Sequence, residues 1–313
     1  MFTENQLSEI KKLISPEKKV VIITHYNPDG DAIGSALGLK HFLNNMGVEP
    51  TVLAPNDFPK FLKWMPDAKK VVIAEYKRKT AGEAIYKADV IFCLDFNAHN
   101  RIGILGDWLM KSWAKKILID HHQQPEDFDY VYSDVTIPAT CQMVYHFIEA
   151  LGREDLVDQN VAECLYTGIM TDTGGFRFRS TSATTHRIVA NLIEKGANPA
   201  MITSNTWDTN SVSRLHLLSL ILGRIELVKD GKVAVLYLKR EELKEFGFEK
   251  GDTEGFVNYG LSIAGTKMAA FFMEDLHEDY IKISFRSKDD VDTNAFARAH
   301  FNGGGHINAS GGK

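Results

Sequence analysis

"KVVIITHYNPDGDAIGS", residues 19–35, decides how the chain is to be read. Val20, Val21, Ile22 and Ile23 form an apolar, β-branched run, which predicts a buried strand. His25, Asp29 and Asp31 follow at once, all within seven residues. Gly30 separates the two acids and gives the backbone the latitude to aim both carboxylates at one point. From about Asp31 to Met46, Ile33, Leu37, Leu39, Phe42 and Leu43 recur at helical spacing. A strand that passes through an acidic turn into a helix is the first half of a βαβ unit.

The same grammar repeats outward. "TVLA" (51–54), "VVIA" (71–74), "DVIFCLD" (89–95) and "KILID" (116–120) predict further strands, and the last two end on Asp95 and Asp120. "KKILIDHHQQP" (115–125) adds His121 and His122. Helical patterns return at 140–151 and 160–171, and "GIMTDTGGF" (168–176) places Asp172 at the end of the second. Strands alternating with helices imply a parallel sheet, and near-continuous apolar strands imply one covered on both faces. Ligands of such sheets bind outside the carboxyl ends of the strands. His25, Asp29, Asp31, Asp95, Asp120, His121 and His122 are therefore expected on one edge, with Asp172 as a further carboxylate.

Carboxylates gathered without cations repel one another, and metal ions remove that penalty. Imidazole and carboxylate donors without thiolates suit Mn²⁺, Fe²⁺, Co²⁺ or Zn²⁺ more than Ca²⁺. The set is large enough for two ions about 3.5–4 Å apart. Taken singly, "NPDGD" is an ordinary turn and Asp95 a helix cap. The weight comes from four segments reaching the same edge. His41, His146, His186, His216 and His277 stand on helical or loop patterns and are read as structural or solvated.

Residues 184–222 read as helices, with Gly196 closing the first. Then the pattern changes. "RIELVKDGKVAVLYL" is a hairpin turning at Asp230-Gly231, and "KMAAFFMEDLHEDYIKISFRS" is a second. Helical stretches near 240–246, 253–263 and 292–300 accompany them. The fold expected is α/β: a parallel-sheet domain over 1–187, a helical connection over 188–224, and a smaller α+β domain over 225–313.

The 313 residues are 44% hydrophobic and 25% charged, as in a water-soluble globular protein. A formal net charge of −5 argues against bulk adhesion to nucleic acid or to an anionic membrane. "MFTENQLSEIKKLISPEKK" lacks the apolar stretch of a signal peptide, and no window is long and apolar enough for a membrane span. Cys93, Cys141 and Cys164 are odd in number and widely spaced, which predicts reduced, buried thiols. A cytoplasmic location is the expectation.

"THYNPDGDAIGS", "LDFNAHNRIG", "IDHH" and "TDTGGF" resemble, in order, the motifs of the DHH phosphoesterase family. "FNGGGHINASGG" is similar to the glycine-rich motif of the associated DHHA1 domain, so the resemblance covers nearly the whole chain. "EGFVNYGLSIAGTKMAAFF" and "KISFRS" point to the nanoRNase and pAp-phosphatase branch. The resemblance implies hydrolysis of short oligoribonucleotides (3′–5′), of the 3′-phosphate of adenosine 3′,5′-bisphosphate, or of both. It implies two divalent metal ions, Mn²⁺ first, with Mg²⁺ or Co²⁺ as alternatives. One would take His25, Asp29 and Asp95, the other Asp31, Asp95, His121 and Asp172, with Asp95 bridging. Asp120 would orient His121, and His122 would face the scissile phosphate, with Arg101 as a weaker catalytic candidate.

In the second domain, Arg286, Asn302, Gly303, Gly304, Gly305 and His306 would bind substrate, with Ser284 a weaker candidate. Main-chain N–H groups of the glycine run would serve as phosphate donors. Relatives usually continue past this run into a further helix, so weaker anchoring of the run is expected. The partners implied are short single-stranded oligoribonucleotides or a nucleoside bisphosphate, with no membrane and a homodimer as a possible assembly. The alternatives on this scaffold are a cyclic or linear dinucleotide phosphodiesterase and a pyrophosphatase or exopolyphosphatase. A nucleotide-binding sensor is the non-enzymatic one.

Overall fold

A computed structural model describes all 313 residues, which form two compact units, Met1–Thr209 and Asn210–Lys313. In the first, the chain runs α1 (Glu4–Leu13), β1 (Val20–Ile23), α2 (Gly30–Asn45), β2 (Thr51–Ala54), β3 (Val72–Ile73), α3 (Arg78–Lys87) and β4 (Val90–Leu94). It continues through α4 (Ile104–Lys111), β5 (Lys115–Asp120), β6 (Tyr130–Ser133), α5 (Thr140–Leu151), α6 (Gln159–Asp172), α7 (Ala183–Glu194) and α8 (Pro199–Thr206). The six strands form one parallel sheet in the order β3-β2-β1-β4-β5-β6. β6, "YVYS", was not among the predicted strands, because four residues with a serine give too short a pattern to separate from a loop.

Alternation within each strand builds two cores. Val20, Ile22, Phe92, Leu94, Ile117 and Ile119 face a large layer with α2, α5 and α6. Val21, Ile23, Ile91, Cys93 and Leu118 face a smaller layer with α3 and α4. Both faces being covered, the strands can be apolar throughout. The strand order reverses between β1 and β4: the chain leaves β1 toward β2 and leaves β4 toward β5. A crevice opens at such a switch point, outside the carboxyl ends of the strands. His25 and Asp95 are the residues that follow there.

The second unit runs α9 (Val212–Gly223), β7 (Glu226–Val228), β8 (Val233–Leu238), α10 (Arg240–Glu245), α11 (Phe256–Leu261), β9 (Met268–Glu274), β10 (Ile281–Ser287), α12 (Thr293–His300), β11 (Gly304–His306) and β12 (Ala309–Gly312). Its sheet has the order β11-β12-β10-β9-β8-β7, antiparallel except between β8 and β9. α9, α10 and α11 pack on one face and α12 on the other. The glycine run is ordered as a hairpin on β10, with Gly304 opposite Gly311. All three cysteines are buried and unbridged, and no helix is long and apolar enough to cross a membrane.

Candidate metal centre

The loop after β1 is held firmly. Asn27 takes a left-handed φ of 57°, and its N–H donates to Asn56 Oδ1 at 2.7 Å. Asp29 caps α2, its Oδ1 accepting from the N–H groups of Asp31 and Ala32 at 3.1 Å each. A carboxylate there is favoured by the helix dipole. Asp31, one residue into the helix, is buried against the start of α5. Its Oδ2 accepts from Thr140 N–H at 2.6 Å and its Oδ1 from Cys141 N–H at 2.8 Å.

Asp95 follows β4 with φ +63°, a left-handed conformation that Asp tolerates better than most residues. It is 2% exposed, and its two oxygens face different ways. Oδ2 lies 3.5 Å from His25 Nε2, which is 3.8 Å from Asp29 Oδ1. Oδ1 lies 3.4 Å from His121 Nε2, which is 3.7 Å from Asp31 Oδ2 and 3.5 Å from Asp172 Oδ2. Thr140 Oγ1 donates to the same Oδ1 at 2.9 Å. Two foci thus share one carboxylate. The ligand atoms of His25, Asp29 and Asp95 lie within 4.8 Å of one another, as do those of Asp31, Asp95 and His121.

Backbone carbonyls select the tautomers. His25 Nδ1 is 2.9 Å from Tyr26 O, and His121 Nδ1 is 3.1 Å from Ile137 O. A carbonyl only accepts, so each ring carries its proton on Nδ1 and turns Nε2 toward the carboxylates. The Nε2-to-oxygen spacings are too long for strong hydrogen bonds. They suit donors arranged around an ion: ligands about 2.1 Å from a metal stand roughly 3–3.4 Å apart, a few tenths of an ångström closer than here. The donor set fits divalent metals.

Without a metal, protons must balance this charge. Burial alone would lower the His25 pKa, but the adjoining Asp29 and Asp95 reverse that and raise it to about 10. His121 moves upward too, against its burial, through Asp95, Asp172 and Asp31. Burial also opposes the Asp95 charge, yet His121 and His25 hold its pKa well below the ordinary range. Asp31 is pushed well up, by burial first and then by Asp95 and Asp172.

Asp120 does something other than the resemblance implied. Its Oδ1 lies 2.7 Å from His122 Nδ1 and its Oδ2 accepts from His122 N–H at 3.1 Å. Asp120 therefore orients His122, while the Ile137 carbonyl orients His121. Thr140 and the N-terminus of α5 are the parts that sequence reading missed. Their contribution is one hydroxyl and two backbone N–H groups, and "IPAT" has no pattern that reveals it. Arg101 lies in a 3-10 turn, His99–Ile102, whose backbone supports the β1 loop: Tyr26 N–H donates to Arg101 O at 2.7 Å.

In the second unit, Arg286 on β10 lines a cavity of about 50 Å³ with Lys282, Ser284, Thr253 and Glu254. Asn302 has φ +45°. A Cβ on Gly303 would stand 1.9 Å from Gly311 O, so the hairpin closes only on glycine there. The N–H groups of Gly303 and Gly305 already donate to Ala297 O and to Asn294 Oδ1. These two main-chain donors are engaged within the fold, contrary to the role expected of them. His306, half-buried, pairs across the hairpin with Ala309.

A doubly wound unit with two carboxylate and imidazole foci at its switch point has the build of a metal-centred hydrolase domain. The chain belongs to the DHH family of phosphoesterases: residues 19–169 match the DHH family N-terminal domain and residues 230–313 the DHHA1 domain. It is similar to the bifunctional oligoribonuclease and PAP phosphatase NrnA of Thermus thermophilus, 30% identical over 97% of this chain and 86% of that protein. The protein of the same name from Bacillus subtilis is 27% identical over 97% of this chain and 92% of its own length. Among solved structures, an exopolyphosphatase-related protein from Bacteroides fragilis matches all of this chain and 92% of that one, with 41% identity and a TM-score of 0.95.

Proposed function

We propose that the protein hydrolyses short oligoribonucleotides, from the 3′ end, and the 3′-phosphate of adenosine 3′,5′-bisphosphate, using two divalent metal ions, Mn²⁺ foremost. The observation that carries this is the division of Asp95 between the two foci, together with full-length similarity to proteins named for both activities. His25, Asp29 and Asp95 would hold one ion, and Asp31, Asp95, His121 and Asp172 the other. Such ions polarise a phosphoryl oxygen and make water a nucleophile near neutral pH. The chain's own part is to fix geometry. Tyr26 and Ile137 carbonyls lock the ligand tautomers, Thr140 orients Asp95, and α5 secures Asp31. Asp120 aims His122 at a phosphoryl oxygen, where it stabilises developing charge.

Arg286, which can grip a phosphate bidentately, would bind substrate with Asn302, Gly304 and His306, while Gly303 and Gly305, whose N–H groups are engaged in the fold, would offer close backbone approach alone. Arg101 is the remaining catalytic candidate. The helical stretch 188–224 would connect the catalytic and substrate-binding parts, and the protein would work in the cytoplasm. The test is turnover with Mn²⁺ on RNA dimers to pentamers and on the bisphosphate, before and after chelation. Equal turnover by the parent, His121→Ala and Asp95→Asn would sink the site assignment. The description of the Bacteroides relative supports a second reading, phosphoanhydride cleavage. Pyrophosphate and polyphosphate in the same panel decide between them.

A further inference from the structure

The residues after Asp172 carry chemistry that the cleavage step leaves unused. The chain turns through Gly174 and Gly175, both left-handed, with φ of 58° and 72°. Phe178 folds back, its N–H donating at 3.1 Å to the carbonyl of Thr173, the residue after the candidate ligand Asp172. A Cβ on Gly174 would lie 2.6 Å from the Phe178 ring, and one on Gly175 2.7 Å from the ring of Trp207, which ends α8. The two glycines seat two aromatic rings. Both rings stay accessible, at 39% for Phe178 and 42% for Trp207. Arg177 and Arg179 flank Phe178, both exposed and neither paired with a carboxylate; Arg177 Nε donates to Gly174 O at 2.7 Å. Accessible rings with unneutralised guanidinium groups are how proteins hold single-stranded nucleic acid: the rings stack on bases and the cations follow the backbone.

We propose that Phe178 and Trp207, aided by Arg177 and Arg179, form a base-stacking platform for oligonucleotide substrates. It takes the nucleoside on the far side of the scissile phosphate from the end with the free terminal phosphate. This rests on the reading of the Asp95 centre as the site of phosphodiester cleavage. The logic is in the two substrates. A dinucleotide has a nucleoside on each side of its scissile phosphate, and the bisphosphate has one on a single side. A platform for the second nucleoside serves oligonucleotides alone and sets the balance between the two activities. It tolerates any base, because every base has a π face.

The experiment compares the parent with Phe178→Leu and Trp207→Leu on an RNA dinucleotide and on the bisphosphate, with Mn²⁺. Leucine keeps apolar packing on the glycines. The expected result is a KM for the dinucleotide raised about tenfold, the scale of one lost base stack, with kcat nearly unchanged and bisphosphate kinetics like the parent's. Equal losses on both substrates, or none on either, overturn the platform. A parent inactive on both would instead sink the cleavage reading. Tryptophan emission decides the platform independently of turnover. Added dinucleotide should quench the parent and leave Trp207→Leu unquenched; equal quenching overturns it.

Discussion

Asp120 shows how one hydrogen bond assigns a residue's work. Both its oxygens are engaged by His122, one through Nδ1 and one through the backbone N–H. Asn has one acceptor where Asp has two, and no charge to hold the imidazole. Asp120→Asn is therefore expected to cut turnover about 10- to 100-fold, the usual cost of losing an orienting partner. Mn²⁺ affinity should stay within a few-fold of the parent, since His121 is held by Ile137 O. Calorimetric titration beside steady-state kinetics checks this; a parallel fall in Mn²⁺ affinity would return Asp120 to His121. The motif "IDHH" was legible as chemistry, but which histidine the acid serves was not. That depends on χ angles and on a carbonyl seventeen residues beyond Asp120, and carbonyls have no identity in a sequence.

Between elements, the two foci depend on how closely α2 and α6 cross, because α2 carries Asp31 and α6 ends at Asp172. Small residues permit the approach. A Cβ on Gly34 would stand 2.6 Å from Cys164 O, and one on Gly30 2.3 Å from Thr171 Oγ1. Gly34→Ala meets backbone, so the helices must separate. We expect a loss of about 1–3 kcal/mol in the metal-free protein, by urea denaturation, and weaker Mn²⁺ binding. Gly223→Ala, at the end of α9 with nothing within 4 Å, should leave stability the same or slightly higher. These helices were readable from periodicity, and so were β1, β4 and β5. The glycine hairpin was not: Gly304–His306 and Ala309–Gly312 have no alternating side chains, and only β10 makes strands of them.

For the whole molecule, charge balance at the centre sets the response to pH. The unfolded imidazole titrates near 6.5, whereas folded His25 is raised to about 10. Its proton therefore stabilises the metal-free fold fully below about pH 6.5, and that contribution is lost as pH rises toward 10. Raised pKa values at His121 and Asp31 act in the same direction. Chelated protein should lose thermal stability between pH 6.5 and 10. Mn²⁺ competes with those protons, so its affinity should rise over the same range, with protons released on binding. Melting curves with and without Mn²⁺ test this; parallel curves would show that the two foci hold no ion.

The amino-acid sequence by itself determined the α/β architecture, the strand ends that carry acids and imidazoles, and the family. Each is written locally, in periodicity and in short runs of donor residues. Only the tertiary structure decided that the strand order reverses between β1 and β4, that Asp95 is divided between two foci, and that Asp120 serves His122. It also decided that the rings of Phe178 and Trp207 lie over Gly174 and Gly175, which follow Asp172 closely in the chain. Those facts join residues far apart in the chain, and the joining is done by sheet order, helix crossing and backbone carbonyls, which leave no mark on residue identity.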